Sequence, residues 1–503
     1  MSGRNATLLV LVLLGCASAF AQQKPKQNLD TDQLAPMTAN EREAEFYRIS
    51  EVPMPPGAVL EAGSMLALPD GRLVIGTRRG EIYFGSHLDA TPVWKLFATG
   101  LTEVFGLAMR DGVLYATQQA ELTRVLDTDG DGRADRFETV SDAWAWGGEH
   151  EFNFGSPGFD KDGAIWTAHG LTGSYTSERL FRGWAMRHFP DGRSEPMCSG
   201  LRSPGGIAFN AAGDVFYMES QGPWNGACSI KHLKPGGFMG HPIGNAWYDH
   251  APNMGPRPAE PTGGENGRRH LDAQRIPQLV LPSVVFPYKK MGQSASAVML
   301  DVSGGKFGPF AGQFFIGDYT LSIVMRADME QVNGVYQGAC FPFRQGFATG
   351  IIGGTLTPRG QIFVGGSKRG WPVRGLAESA LQRLDWTGAT PFEVLTMRAK
   401  PDGFELRFTA PADAKSAANP ASYTLETFTH IYHAAYGSPE VEQAGQRITS
   451  ATVSNDGLTV RLVVDKLVRG HIHELHLPGL RDQAGQPLLH DAAYYTLNQI
   501  PKP

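Results

Sequence analysis

The chain is 503 residues long, and its 45 Lys and Arg against 50 Asp and Glu leave a formal charge of −5. That length exceeds one ordinary domain and supports a sizeable core. Near-balanced charge, with no basic stripe interleaved with aromatics, argues against nucleic acid as a partner. The 61 Gly and 34 Pro, with no long helical periodicity, point to an all-β, turn-rich protein.

The N-terminus reads as an export signal over residues 1–21. Arg4 supplies the positive region and LLVLVLLG the apolar one, too short for a final membrane span. Ala19-Phe20-Ala21 offers ordinary cleavage before Gln22, which is favoured by the length of the apolar region. Leu13-Leu14-Gly15-Cys16 offers instead a lipoprotein box. Both place the mature protein outside the cytoplasm, periplasmic or secreted, with membrane contact only through a lipid on Cys16. Residues 22–50 read as a flexible linker, polar and rich in Pro, Gln and Ala through about residue 45.

From residue 51 to 388 a strand, a Gly-containing turn and a second strand recur six times. The copies are SMLALPDGRLVIGT, GLAMRDGVLYATQ, GSPGFDKDGAIWTAHG, GGIAFNAAGDVFYMES, AVMLDVSGGKFGPFAGQFFIGD and GGTLTPRGQIFVGG. Radial β repeats of this kind predict a six-bladed β-propeller. In an antiparallel hairpin, the residues before the first strand and after the second share one end. Six such hairpins around one axis predict a single mouth.

Between the second and third copies lies an acidic loop. Asp127, Asp129, Asp131, Asp135 and Glu138 occupy loop positions one, three, five, nine and twelve, with Gly132 at six. That is calcium-loop spacing, Arg133 at position seven giving a backbone carbonyl. No helix pair flanks the loop, so the expected role is to stabilise it; a merely solvated acidic turn is the alternative. A long insertion, about 235–291, follows the fourth copy, and loops of that length usually carry function. From residue 391 to 500, strands such as GFELRFTAP, GLTVRLVVD and HIHELHLPG alternate apolar and polar positions, predicting an immunoglobulin-like β-sandwich. Its histidines, His430, His433, His471, His473 and His476, are expected in packing or surface roles. Cys198, Cys228 and Cys340 fit no zinc or haem spacing. Cys198 and Cys228 either pair, as export permits, or all three are buried small hydrophobes.

The hairpin rule gathers polar residues at the mouth. Trp146, Glu149 and His150 precede the third hairpin; Arg202 and Ser203 precede the fourth, and Glu219, Gln221, Gly222, Pro223 and Trp224 follow it. Gln293 and Ser294 precede the fifth, Asp318 and Tyr319 follow it, and Lys368, Arg369 and Trp371 follow the sixth. Arg78, Arg79, Gln118 and Gln119 follow the first two. Singly, each is an ordinary solvated or structural residue. Together they predict a site for an anionic or sugar-like molecule, because aromatic faces stack on sugar rings and Arg grips carboxylates.

The segment GLRSPGGIAFNAAGDVFYMESQGPWNGACSIKHLKPGGFMGHP resembles the soluble quinoprotein glucose dehydrogenase and glucose/sorbosone dehydrogenase family. The resemblance implies an exported propeller that oxidises a sugar or polyol hydroxyl with pyrroloquinoline quinone and calcium, passing electrons to a cytochrome or quinone. It implies His150 as the base and Arg202 as a cofactor contact that stabilises developing negative charge. Ser203 and Gln221 then touch the cofactor, Lys368 and Arg369 pair with its carboxylates, and the Gly222 and Pro223 carbonyls ligate calcium. The chain departs from the family at Ser203, where an Asn is usual, and at Gly226-Ala227-Cys228, where an acidic pair is usual. Leu171 and Thr172 stand near the place of an expected Asp. Two rival readings stay open: a metal-assisted hydrolase or lyase using Glu149 and Glu219, and a non-catalytic glycan- or protein-binding propeller.

Overall fold

The computed structural model describes residues 40–55, 57–148 and 150–502. The expected export signal, Cys16, residues 22–39 of the expected linker and Glu149 lie outside the described residues.

Each of the six hairpins forms the inner half of a separate antiparallel sheet. The first pairs Ala62–Ala67 with Leu73–Thr77 and adds Ile82–Ser86 and Val93–Ala98. The inner pairs of the next five sheets are Gly106–Arg110 with Val113–Thr117, Asn153–Phe159 with Ile165–His169, Pro204–Phe209 with Val215–Glu219, Ala295–Leu300 with Phe314–Asp318, and Ile351–Leu356 with Gln361–Ser367. The first strands touch in chain order, and the sixth touches the first, so the sheets close a ring. Ring closure explains the composition of the second strands. Leu73–Thr77, Ile165–His169, Val215–Glu219 and Phe314–Asp318 are buried at every position, because both faces of each sheet are covered by neighbours.

The core is a set of apolar layers between adjacent sheets. Val74 and Ile82 meet Leu107 and Leu114 between the first two, and Phe363 and Leu381 meet Ala62 and Ile75 between the last and the first. Near the axis, space runs out. A Cβ on Gly106 would lie 2.4 Å from the Gly155 Cα, and one on Gly205 would lie 2.6 Å from the Ala295 carbonyl oxygen. Only glycine allows inner strands so close.

Three expectations need correction. Asn40–Phe46 is a short helix, and Tyr47–Glu51 pairs with Ser379–Trp386 as the outer strand of the sixth sheet. Residues 40–50 are therefore structural: Tyr47 is buried against Phe307 and Phe343, and its amphipathic neighbours complete a sheet edge. The region 235–291 is not wholly an insertion either. Gly237–Phe238 runs parallel to Ser194–Ser199 of the third sheet, and Val284–Phe286 is the outer strand of the fourth. These strands are too short to carry a periodic signal.

The third correction concerns the C-terminal part. Val394–Lys400, Gly403–Phe408, Thr459–Val464 and Ile448–Val453 form one sheet. The opposing sheet is not separate from the ring. Ala492–Leu497 pairs with Val335–Arg344, the outer strand of the fifth sheet, through Gly338–Thr496, Ala339–Tyr495 and Cys340–Tyr494. His471–His476, Thr424–His430 and Glu440–Gln446 extend it to eight strands. The core between the two sheets takes Ala339 and Phe341 from the ring alongside Phe404, Leu406, Leu475 and Tyr495. His473 packs on Phe404, while His471 and His476 pair with Glu442 and Glu474. Cys198, Cys228 and Cys340 are buried free thiols.

Candidate functional site

The hairpin ends converge on one cavity that opens to solvent. His150, Arg202 and Ser203, and Ser294 enter it just before the first strands of the third, fourth and fifth sheets. Arg78, Ser220, Tyr319 and Arg369 enter just after second strands. Phe105, Phe152, Phe154 and Trp371 supply aromatic wall, and Tyr436 adds to it from the C-terminal part. No carboxylate lines the cavity among the described residues.

His150 is exposed and held at φ 48°. Its ring lies parallel to Phe152, with centroids 6.1 Å apart, and meets Trp371 edge-on at 5.8 Å. Ser174, also on the cavity wall, has φ 67°, and Glu103 just behind it has φ 41°. Left-handed backbone is costly away from glycine, so these residues are held in place by their surroundings.

Arg202 forms the floor and is only 5% exposed. Its backbone N–H donates to the Glu219 carboxylate at 2.5 Å. Glu219 also accepts from the Tyr217 hydroxyl at 2.8 Å and pairs with the Lys231 ammonium. Burial raises the cost of the Glu219 charge, yet Lys231 and these hydrogen bonds hold its carboxyl below the usual range. Burial, with the Arg269 charge, pushes Lys231 down to about 7 against the pull of Glu219. The Arg202 side chain has no carboxylate partner among the described residues. Its Nη1 donates to the Gln221 carbonyl at 2.5 Å and weakly to that of Ser220 at 3.5 Å, and the Tyr436 ring lies 5.1 Å from the guanidinium carbon. Gly222 makes room for it: a Cβ there would fall 2.0 Å from the Arg202 Cζ.

The other two arginines are neutralised locally. Arg78 donates to Glu103 at 2.9 Å and lies over Phe105 and Phe152. Arg369 bridges Glu61 and Glu103 at 3.4 and 3.2 Å, and its carbonyl accepts from Arg78 and from the Tyr319 hydroxyl. This cluster ties the first, fifth and sixth sheets to the residues leading into the second.

Other expected residues lie elsewhere. Gln221 turns its amide to the Gly226 carbonyl at 3.1 Å, packed against Gly437, and does not line the cavity. Lys368 is exposed and also outside it. The Gly222 carbonyl, expected on calcium, accepts the Asn225 N–H at 3.0 Å, and Pro223 is buried beside it. Trp224 packs on Tyr432 and Trp146 is exposed away from the cavity. Glu219, the described member of the rim carboxylates for a hydrolase, is consumed by Lys231 and the Arg202 turn. Tyr436, Ser174 and Glu103 were not singled out from sequence; only the turn position of Glu103 before the second hairpin gave a local signal.

The acidic loop joins Leu122–Leu126 to Arg136–Ser141, the end of the ring opposite the mouth. Carboxylate oxygens of Asp127, Asp129 and Asp131 lie within 4.8 Å of one another. Asp127 also accepts the Gly130 and Gly132 N–H groups, and Asp131 accepts the N–H of Arg133. The remaining expected ligands are elsewhere. Asp135 binds the Thr128 N–H and hydroxyl. Glu138 stands on a strand opposite Arg124 and pairs with it and Arg136. A strand, in place of a second helix, swings position twelve out of the loop.

A family model for a domain of unknown function, DUF7133, matches residues 91–337. No curated protein matches the chain. Among solved structures, an oxidoreductase described as a glucose dehydrogenase from Thermus thermophilus is 18% identical with a TM-score of 0.48, covering 67% of this chain and 99% of its own. The PQQ-bound aldose sugar dehydrogenase from Streptomyces coelicolor is 14% identical with a TM-score of 0.46, covering 67% and 98%. A gluconolactonase from Xanthomonas campestris is 13% identical with a TM-score of 0.42, covering 68% and 92%.

Proposed function

We propose that this chain is an exported six-bladed β-propeller carrying an immunoglobulin-like sandwich, and that its mouth is a sugar dehydrogenase-like active site for a sugar or polyol hydroxyl. The observation that carries this reading is the convergence of His150 and Arg202 on one aromatic-walled cavity lined by no carboxylate among the described residues. His150 accepts the hydroxyl proton, its ring positioned by Phe152 and Trp371. The Arg202 guanidinium, which no carboxylate neutralises among the described residues, favours the alkoxide that forms. Aromatic faces hold the sugar ring and exclude water from around it.

The residues do not fit a quinone and calcium together. Arg202 and the aromatic walls suit a planar carboxylate such as pyrroloquinoline quinone, but Arg78 and Arg369 are already paired with Glu103 and Glu61. However, the Gly222 carbonyl is occupied by Asn225, Gln221 and Lys368 lie off the cavity, and no carboxylate is there to hold a cation. No step is therefore routed through either, and the two electrons that leave with the carbinol hydride would go to an added acceptor such as the redox dye of the assay. A calcium ion has a better donor set at Asp127, Asp129 and Asp131, where it would brace the loop far from the chemistry.

The test is dye-linked oxidation across a sugar panel, with and without added quinone and calcium, in wild type and His150→Ala. Loss of turnover by roughly 10²–10⁴-fold in the variant, with melting unchanged, is the expected result. Full turnover in His150→Ala overturns the reading.

A further inference from the structure

We infer that the mouth is a carboxylate-binding site completed by the C-terminal sandwich, and that its ligand is a sugar acid rather than a neutral sugar. This rests on the reading of the mouth as an active site and names the substrate class for it.

The inference starts from what Arg202 lacks. Its Nη1 is occupied by main-chain carbonyls, but Nε is buried with no acceptor, and Nη2 donates to no protein group among the described residues. Arg78 and Arg369, by contrast, are satisfied by Glu103 and Glu61. A buried donor left unpaired is costly. Nε and Nη2, the parallel N–H fork that matches the two oxygens of a carboxylate, are thus left without a protein acceptor, with the Gly222 backbone packed over Nε. The fork cannot swing away to find another partner. Glu219 fixes the backbone of Arg202 from below, and Tyr436 covers the face of the guanidinium.

Tyr436 reaches the mouth from residues 431–439 of the sandwich, and that loop is pinned to the ring. The Trp224 N–H donates to the His433 carbonyl at 2.8 Å and the Ser438 N–H to the Gly226 carbonyl at 3.2 Å. Gly437, at φ 67°, turns the loop against Gln221, where a Cβ would meet the amide nitrogen at 2.8 Å. There the Gln221 amide also donates to the Gly226 carbonyl, off the cavity. The walls beside the fork carry the hydroxyls of Ser174 and Ser203 and the aromatic faces of Trp371 and Tyr436. Carboxylate fork, hydroxyl donors and flat apolar faces together describe a carboxylated, polyhydroxylated ring.

The experiment titrates the full chain with D-galacturonate, D-galactose and pyrroloquinoline quinone, followed calorimetrically and by tryptophan fluorescence. Galacturonate is expected to bind roughly tenfold or more tighter than galactose. Arg202→Lys, which keeps the charge but loses the fork, is expected to erase that preference while near-ultraviolet dichroism stays native. Tyr436→Ala is expected to weaken both sugars alike. Equal affinity for the two sugars, or a preference that survives Arg202→Lys, overturns the inference. So does binding of the quinone without galacturonate, since the carboxylate is then a cofactor's. Turnover of neutral sugars that needs His150 but shows no acid preference would sink the inference and leave the active-site reading standing. Acid-selective binding with no turnover would do the reverse.

Discussion

The two ends of the ring handle charge in opposite ways. At the mouth, Arg202 is buried, has no carboxylate partner among the described residues and keeps Nε without an acceptor. At the far end, Asp127, Asp129 and Asp131 crowd together yet accept N–H groups from their own loop, with Asp129 and Asp131 exposed. Solvent and local donors already meet much of what the acidic loop needs, whereas the described chain gives Arg202 two main-chain carbonyls and a ring face but no carboxylate. Desolvated, unsatisfied charge marks a site more sharply than a dense motif does.

The comparison can be broken most severely from below the mouth. Replacing Glu219 with Leu leaves the Lys231 charge buried without its partner, and unfolding in urea should show a loss of about 3–5 kcal/mol. If the loss is near zero, the floor of the mouth is not organised by that pair. A remote control with a similar scale is His490, which bonds Glu393 at 2.6 Å and Glu43 at 3.0 Å. Burial opposes its charge, but the two carboxylates lift it to about 9 from an ordinary 6.5. A raised value means the stabilisation is complete below 6.5 and lost as pH climbs through 9. Denaturation between pH 6 and 10 should record a decline of about 3 kcal/mol, absent in His490→Gln. Smaller, but aimed at the mouth itself, is Gly222→Ala. The added methyl displaces the Arg202 guanidinium, costing about 1–3 kcal/mol by overpacking and abolishing galacturonate selectivity in the same titration. Smallest is the far end: calcium should raise the melting temperature by roughly one or two degrees, and Asp129→Ala should cancel the rise. A melting curve indifferent to calcium makes the loop a solvated turn.

What was readable in advance follows from range. Strand–turn–strand repeats are local, and hairpin polarity assigns each polar residue to one end, so the gathering of His150, Arg202 and Arg369 needed no distant information. Glu138 was misplaced because loop spacing presumes a helix, and the chain supplies a strand facing Arg124. Gln221 was misplaced because its amide finds the Gly226 carbonyl and packs on Gly437, a contact from more than two hundred residues later. Tyr436 had no signal of its own, since nothing in its neighbours says which surface its loop will meet. The early strand Tyr47–Glu51 hid inside a polar stretch because its partner, Ser379–Trp386, comes near the far end of the repeat region in the chain.

The eight-stranded sheet joining the fifth sheet to the sandwich bears on how the molecule comes apart. Cutting the chain after residue 388 would strip Gly338, Ala339 and Cys340 of their main-chain partners on Tyr494, Tyr495 and Thr496. The severed fragment would bear a raw, apolar edge ready to recruit other chains. The lobes are thus expected to melt in a single calorimetric transition, and attempts to express the ring alone should yield aggregate.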